Sequence, residues 1–204
     1  MADRKHGRPA PATESEVRDW DDPDPSGNTY TKVAFIDLDL TEVVNTGAVF
    51  DECTFRDVRF NASTHTDSAF VNCTFIGSSF FDSTFTRCKL LGSMFDRCTF
   101  GLFKVEGGDW SFVGLPGADL RGSELSNVRL READLTGTRF EGATLRNIDL
   151  SGAWLHHANL SEADLRGSDL TTVDPATVEL SGAIIDMTQA IVIATTLGLD
   201  VRPT

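Results

Sequence analysis

The chain has 204 residues, 40% apolar and 24% charged, a composition that argues against a wholly disordered chain and against a membrane-embedded one. With 31 acidic against 18 basic side chains, the formal net charge is −13, which disfavours binding of nucleic acid through a basic surface. No stretch approaches the roughly 18 apolar residues of a spanning helix, and the N-terminus has no apolar signal core, so we expect a cytoplasmic protein without a membrane segment.

The first element in chain order is the segment 1–29, which contains GRPAPATESE and DDPDPSG. Proline, glycine and charged residues of this kind cannot build a hydrophobic core. We therefore expect a flexible acidic N-terminal tail, and an unrelated function for it stays open.

A five-residue period organises the chain from Val33 to Ile185. Reading every fifth position from Phe35 gives 31 positions, of which 28 are apolar, and the residue two places before each is mostly small. A helix would return apolar residues every 3.6 positions and a strand every two, so neither alone explains the pattern. The chain must turn once per unit and stack its turns into a solenoid, and because the phase is never lost, we expect no large loops.

Two places within the repeats depart from the pattern. Between residues 101 and 117, Phe103 and Gly108 occupy small-residue positions and Trp110 a central one. The sequence therefore predicts one irregular coil there, either a kink or a contact for a partner. Pro175 predicts a distorted turn near the end of the solenoid.

The cysteines and histidines do not form a recognisable chemical motif. The four cysteines all fall on the small-residue phase, which indicates packing, and we expect free thiols in a reducing compartment: Cys53, Cys73, Cys88 and Cys98. His65 falls on the inward phase and should make a polar contact in the stack, whereas His156 and His157 should lie on a solvated corner. With no zinc spacing, nucleophile motif or phosphate loop, we predict no catalytic residue, no metal and no cofactor, and an enzyme using His156 and His157 is disfavoured.

The last element covers residues 187–204, where the period stops and helical spacing begins. Asp186 is a candidate N-cap and Gly198 a candidate C-terminal stop. The helix could merely cap the last coil, but its apolar surface favours a homodimer contact. The predicted contact residues are Ala190, Ile191, Ala194 and Leu197.

Several units carry a resemblance to a known family. The sequences ADLRG (118–122), ADLTG (133–137), ANLSE (158–162) and ADLRG (163–167) resemble the repeats of pentapeptide-repeat proteins, and the likeness extends over residues 30–186. The Phe- and Cys-rich first half followed by a Leu-rich second half is most similar to the MfpA- and Qnr-like branch. The resemblance implies an all-β, right-handed quadrilateral β-helix with four units per coil and a short C-terminal α-helix. It further implies a homodimer that mimics duplex DNA, binds DNA gyrase and protects it from fluoroquinolones or related topoisomerase poisons, with topoisomerase IV as a second candidate target.

The acidic residues support that implied function in part. Residues 33–186 carry 23 acidic and 12 basic side chains, a net charge of −11, and four units per coil give a rod of about 37 Å, or about 75 Å for an end-to-end dimer. That length matches about 20 base pairs of DNA. The predicted partner-binding acids are Asp109, Asp134, Asp149, Asp164, Asp169 and Asp174. A structural habit of the repeat and a role in solubility remain alternative explanations for these acids.

The sequence therefore favours a binding protein over an enzyme. Two alternatives stay open: a pentapeptide-repeat scaffold with another protein partner, and a self-immunity protein of an antibiotic producer.

Overall fold

The computed structural model describes residues 10–21 and 23–202, and within them the chain winds into a parallel β-solenoid followed by one helix. The strands are, in chain order, β1 Ser15–Val17, β2 Thr29–Thr31, β3 Val33–Ile36, β4 Val44–Thr46, β5 Val49–Asp51, β6 Thr54–Arg56, β7 Thr64–Thr66, β8 Ala69–Val71, β9 Thr74–Ile76, β10 Thr84–Thr86, β11 Met94–Asp96, β12 Lys104–Glu106, β13 Glu124–Ser126 and β14 Thr144–Arg146. The helix, α1, spans Met187–Thr196. No helix in this part of the chain is long and apolar enough to cross a membrane.

The solenoid has four walls, because residues twenty apart in sequence are neighbours on adjacent rungs. The first wall is the sheet β1-β3-β6-β9-β11, the third is β4-β7-β10-β12-β13-β14 in spatial order, and the fourth is β2-β5-β8. The second wall consists of single bridges, from Asp39 to Thr99 and again from Asp119 to Glu179. This arrangement confirms the predicted quadrilateral β-helix.

The interior is filled by the central residues of the repeats. On the first wall, Phe35, Phe55 and Phe75 stack with ring centroids 4.9 and 4.8 Å apart, which is the spacing of the rungs themselves. From Leu115 to Leu170 the central positions are leucine except at Phe140, and these side chains are buried as well. The core therefore forms one continuous column along the axis.

Each corner of the coil requires a left-handed backbone conformation. From Lys32 to Gly167, every fifth residue has a positive φ, and 18 residues with positive φ are not glycine. This backbone conformation costs folding free energy for most residues other than Gly, Asn and Asp. The hydrogen-bonded ladders on both sides of each corner therefore hold it in place.

The N-terminal segment differs from the expected tail in its described part. Strand β1 pairs with β3 so that Val17 lies opposite Phe35, a separation of 18 residues where the coil elsewhere uses 20. Trp20 stacks on Phe35 at 5.6 Å and meets the edge of Tyr30 at 5.7 Å. Residues 15–20 therefore belong to the first coil, because they cover aromatic rings that the open end would otherwise expose. Residues 1–9 and 22 lie outside the described part of the chain.

The predicted irregular coil at residues 101–117 is confirmed only at Gly108, whose φ of 102° is positive although it is not a corner residue; the ladder itself is regular. Lys104 pairs with Thr84 before it and Glu124 after it, so the twenty-residue register continues through this region. The irregular side chains fit because large and small residues have exchanged places. Val105 is the central residue of its unit, and Phe103 packs in the neighbouring slot with its ring 5.2 Å from that of Phe100.

The end of the solenoid matches the sequence more closely. Near Pro175 the turn is distorted as predicted: Thr172 and Thr177 lack the positive φ of the other corners. Asp186 is the N-cap of α1, where its carboxylate accepts the Gln189 N–H at 3.0 Å. Gly198, with φ of 84°, ends the helix and donates its N–H to the Thr195 carbonyl.

Candidate functional site: the acidic surface of the coil

The six predicted acids lie on three different walls. Asp109 and Asp149 lie on the fourth wall with Arg129 between them in the ladder, and Asp169 follows on the next rung. The others are on the first wall, Asp134 and Asp174, and on the third wall, Asp164. The structure therefore brings three of the six together, on one wall, as the twenty-residue period predicts.

These acids have a role in the backbone turns. The Asp169 carboxylate accepts the Thr171 N–H at 2.9 Å and the Thr171 hydroxyl at 2.6 Å, and Asp109 binds Ser111 in the same way. Short polar side chains commonly stabilise turns by accepting an N–H two residues ahead. These hydrogen bonds therefore support the alternative that Asp109 and Asp169 are present to stabilise the turns of the repeat.

Several of the predicted acids are also neutralised or shielded. Asp164 lies between Arg166 at 2.7 Å and Arg146 at 2.9 Å, and its side chain is only 17% exposed. The hydrogen bond from Arg166, with the second guanidinium nearby, holds the pKa of Asp164 well below its usual range. Asp134 is buried against its wall. These two carboxylates present little charge to a partner.

The second wall with its corner to the third wall is also strongly acidic. It carries seven acids against three bases. The acids are Asp39, Glu42, Asp82, Asp119, Glu141, Glu162 and Glu179, and the bases are Arg59, Arg121 and Arg139. None of these seven was among the six predicted acids. Residues twenty apart share a wall, so counting the charges at the outward positions of each wall separately reveals these acids in the sequence.

The carboxylates at the corner are freer than those on the wall. Asp39 is hydrogen-bonded to Arg59 at 2.9 Å, and this bond, with those from Thr41, lowers its pKa to about 2. Glu42 and Glu162 have no side-chain partner among the described residues, and Asp82 is 3.9 Å from Lys104. We name the corner formed by Glu42, Asp82 and Glu162 the acidic ridge. It carries the most available negative charge of the second wall.

The other titratable residues do not converge on a chemical site. The rings of His156 and His157 lie 3.8 Å apart on the surface, and the described residues contain no group of three or more metal-binding side chains. His65 is buried between Asn45 and Ser63, 3.0 Å from each, and burial lowers its pKa to about 3. It is therefore neutral and makes the polar contact that the sequence predicts.

The four cysteines are free thiols, as predicted. Burial raises the pKa of Cys88 to about 11 and that of Cys98 to about 12. Cys88 and Cys98 therefore pack between rungs and are poor nucleophiles.

The predicted dimer residues lie at an apolar C-terminal end. Ile191 is 49% and Leu197 59% exposed, Ala190 is exposed, and Ala194 is half-buried. Further exposed apolar side chains at this end were not predicted: Ile184, Met187, Leu199 and Val201.

Comparison with known protein families identifies the repeats in part of the chain. The family model described as pentapeptide repeats matches residues 115–152 and 133–171, with eight copies, and a model described as the SV2A/B/C luminal domain matches residues 26–100. No curated protein sequence matches the chain at a significant level.

Among solved structures, the chain is similar to full-length QnrB1, described as a plasmid-mediated fluoroquinolone resistance protein. The identity is 19%, the match covers 84% of this chain and 100% of QnrB1, and the TM-score is 0.49. HetL, a pentapeptide-repeat protein involved in heterocyst differentiation regulation in the cyanobacterium Nostoc, is 16% identical over 78% of this chain and 85% of its own, with a TM-score of 0.40. A pentapeptide-repeat protein of the Arabidopsis thaliana thylakoid lumen is 20% identical over 79% and 84%, with a TM-score of 0.20. At these scores, likeness says nothing about function.

The family assignment therefore depends on the repeats themselves. Residues 115–171 match the pentapeptide-repeat model, and the same five-residue coil with its positive-φ corners runs without a break from Lys32 to Gly167. This chain therefore contains pentapeptide repeats, which the family model matches over residues 115–171.

Proposed function

We propose that this protein is a binding protein without catalytic activity that presents its acidic second wall to the basic DNA-binding surface of DNA gyrase. It would act in the cytoplasm, compete with DNA and so protect gyrase from fluoroquinolones or related poisons. The observation that carries the proposal is the acidic ridge on a rigid rod, with Glu42 and Glu162 free of partners among the described residues.

The dimensions of the rod support the proposal. The third wall has eight rungs, from β4 to the bridge at Ile184, and seven intervals of about 4.8 Å give a length of about 34 Å. This equals about 10 base pairs of duplex DNA, which rises 3.4 Å per pair. Two copies that meet through Ile191, Leu197 and their neighbours would double that length.

The charge supports the same partner chemistry. A net charge of −13 attracts a basic protein surface and speeds the encounter, and salt weakens such attraction by screening it. The filled interior leaves no room for a substrate within the coil, which favours recognition through the outer surface.

A charge-reversal pair tests this proposal. Glu42→Lys with Glu162→Lys should weaken gyrase binding roughly tenfold or more at low salt, and high salt should reduce the difference. The matched control is Asp37→Lys with Asp57→Lys, which makes the same charge change at the corner that follows the first wall. Lysine at such a corner is tolerated, because Lys32 already occupies one with a φ of 54°. Equal losses for the two pairs would contradict a role for the acidic ridge.

A supercoiling assay with and without ciprofloxacin tests the consequence for gyrase. Inhibition of supercoiling by the protein alone, or protection in the presence of the drug, is the expected result. If neither occurs, the protein is better explained as a repeat scaffold for another partner.

A further inference from the structure

Two large apolar side chains protrude from the acidic second wall. Phe81 is 53% exposed and Leu102 is 57% exposed, on a wall that over its whole length carries seven acids against three bases. Phe81 is on the outward position after the central Phe80, where the two preceding rungs carry Thr41 and Asn61. An exposed aromatic ring offers a large, rigid apolar surface for contact with another molecule.

The two side chains lie on adjacent rungs. The Asp82 N–H donates to the Gly101 carbonyl at 2.6 Å, so the peptide after Phe81 lies against the peptide before Leu102. A Cβ at Gly101 would lie 2.9 Å from Phe81 Cδ2, which shows that the ring extends over this glycine. We name Phe81 and Leu102 the apolar pair.

The backbone holds the apolar pair in place before any partner binds. Asn61 Oδ1 accepts the Phe81 N–H at 3.2 Å and the Ser79 hydroxyl at 2.7 Å. Leu102 has a φ of 54°, in a conformation that glycine adopts at many other corners of this coil. A leucine there is strained, and its exposed side chain gains little from packing, so the fold alone does not explain it.

We propose that the apolar pair is an anchor that inserts into an apolar pocket within a basic surface of a partner protein. Aromatic residues are enriched at the centres of protein interfaces, with charged residues at the rim. Here Asp82 directly follows Phe81, and the other two carboxylates of the acidic ridge lie along the same corner, Glu42 two rungs before Asp82 and Glu162 three rungs after Leu102. The net negative charge of this wall favours a positively charged protein and disfavours both nucleic acid and an anionic membrane. The apolar pair therefore adds a contact that a purely electrostatic mimic of DNA would lack.

This inference rests on the proposed function, and purified DNA gyrase is the probe. Phe81→Thr combined with Leu102→Gly should weaken binding about tenfold or more at both low and high salt, because screening does not weaken an apolar contact. The melting temperature of Leu102→Gly alone should stay the same or rise, since glycine accepts this backbone conformation. A residue needed only for folding would not lower affinity while leaving stability intact.

The matched control is Leu91→Thr, which removes an exposed apolar side chain from the fourth wall. It should change gyrase binding less than twofold. If the unaltered protein binds gyrase and the acidic-ridge reversals weaken that binding, but the apolar-pair variant binds normally, this inference alone is overturned. If the unaltered protein does not bind gyrase at any salt concentration, the proposed function is overturned and the anchor with it.

Discussion

Gln189 offers the sharpest test of how the open end of the coil is closed. Its side-chain amide donates to the Leu165 carbonyl at 2.6 Å and to the Ser168 carbonyl at 2.7 Å, while its oxygen accepts the Asp186 N–H at 2.8 Å. The side chain is 4% exposed, so water does not replace these bonds. Gln189 thus supplies the hydrogen bonds that another rung would have made.

The cost of removing these bonds follows from their number. Gln189→Met keeps the length of the side chain but breaks three hydrogen bonds, each with a net contribution of about 1 kcal/mol, for a total of about 3 kcal/mol. In a solenoid each rung contacts only its neighbours, so the loss should be concentrated in the last coil. Amide exchange at the Leu165 and Ser168 rungs should then become about 100-fold faster.

Hydrogen exchange followed by mass spectrometry measures this effect locally. Peptides from the middle of the coil, around Phe85, provide an internal reference, and Met187→Ala is the matched control because this neighbour is 84% exposed. Exchange in the last coil that changes less than threefold in Gln189→Met would refute the reasoning.

Three further predictions concern the fold. A Cβ at Gly108 would lie 2.1 Å from a backbone carbonyl oxygen, whereas one at Gly114 would meet a movable methionine side chain. Gly108→Ala should therefore lower the melting temperature by roughly 6 °C or more and Gly114→Ala by roughly 3 °C or less, and equal shifts in thermal circular dichroism would contradict this. Asn45→Leu and His65→Phe should each cost about 1–3 kcal/mol in urea unfolding because each leaves a buried polar partner, and the double variant should cost less than their sum. Asp164 has a lowered pKa in the folded state, so the stability it contributes is complete above about pH 5 and is lost as the pH falls below about 4; Asp164→Asn should flatten that part of a plot of melting temperature against pH.

The repeating part of the fold could be predicted because the rule that makes it is local. Each unit of five supplies one large inward residue, one small inward residue and one corner. Phe55 and Leu135, a multiple of twenty residues apart, therefore occupy equivalent buried positions on the same wall. The same regularity explains why the exchange of volumes at Phe103 and Val105 does not disturb the register of the ladder. A local departure in side-chain size is absorbed as long as the rung keeps its total volume.

The two ends could not be predicted by the same rule, since a terminal rung lacks a neighbour on one side. At the N-terminal end the solution is Trp20 with a strand shifted by two residues, and at the other it is Gln189. Each left a signal in the sequence: Trp20 falls on the five-residue phase, and Asp186 with Gln189 fits the spacing of a capping box. Neither signal specifies that the side chain will cover the end of a solenoid.

The acidic surface shows how structure and function divide the positions of the repeat. At the position before the central residue, the side chain has a structural role in the turn. A carboxylate such as Asp169 accepts the N–H two residues ahead and cannot also point freely at a partner. A corner carboxylate such as Glu162 has no such structural role, because glycine and lysine occupy equivalent corners of the same coil. A carboxylate before the central residue is therefore weak support for recognition of a partner, because the turn explains it. A carboxylate at a corner is stronger support, because the fold does not require it. If this division is correct, reversing Asp169 should mainly lower stability, and reversing Glu162 should mainly lower affinity.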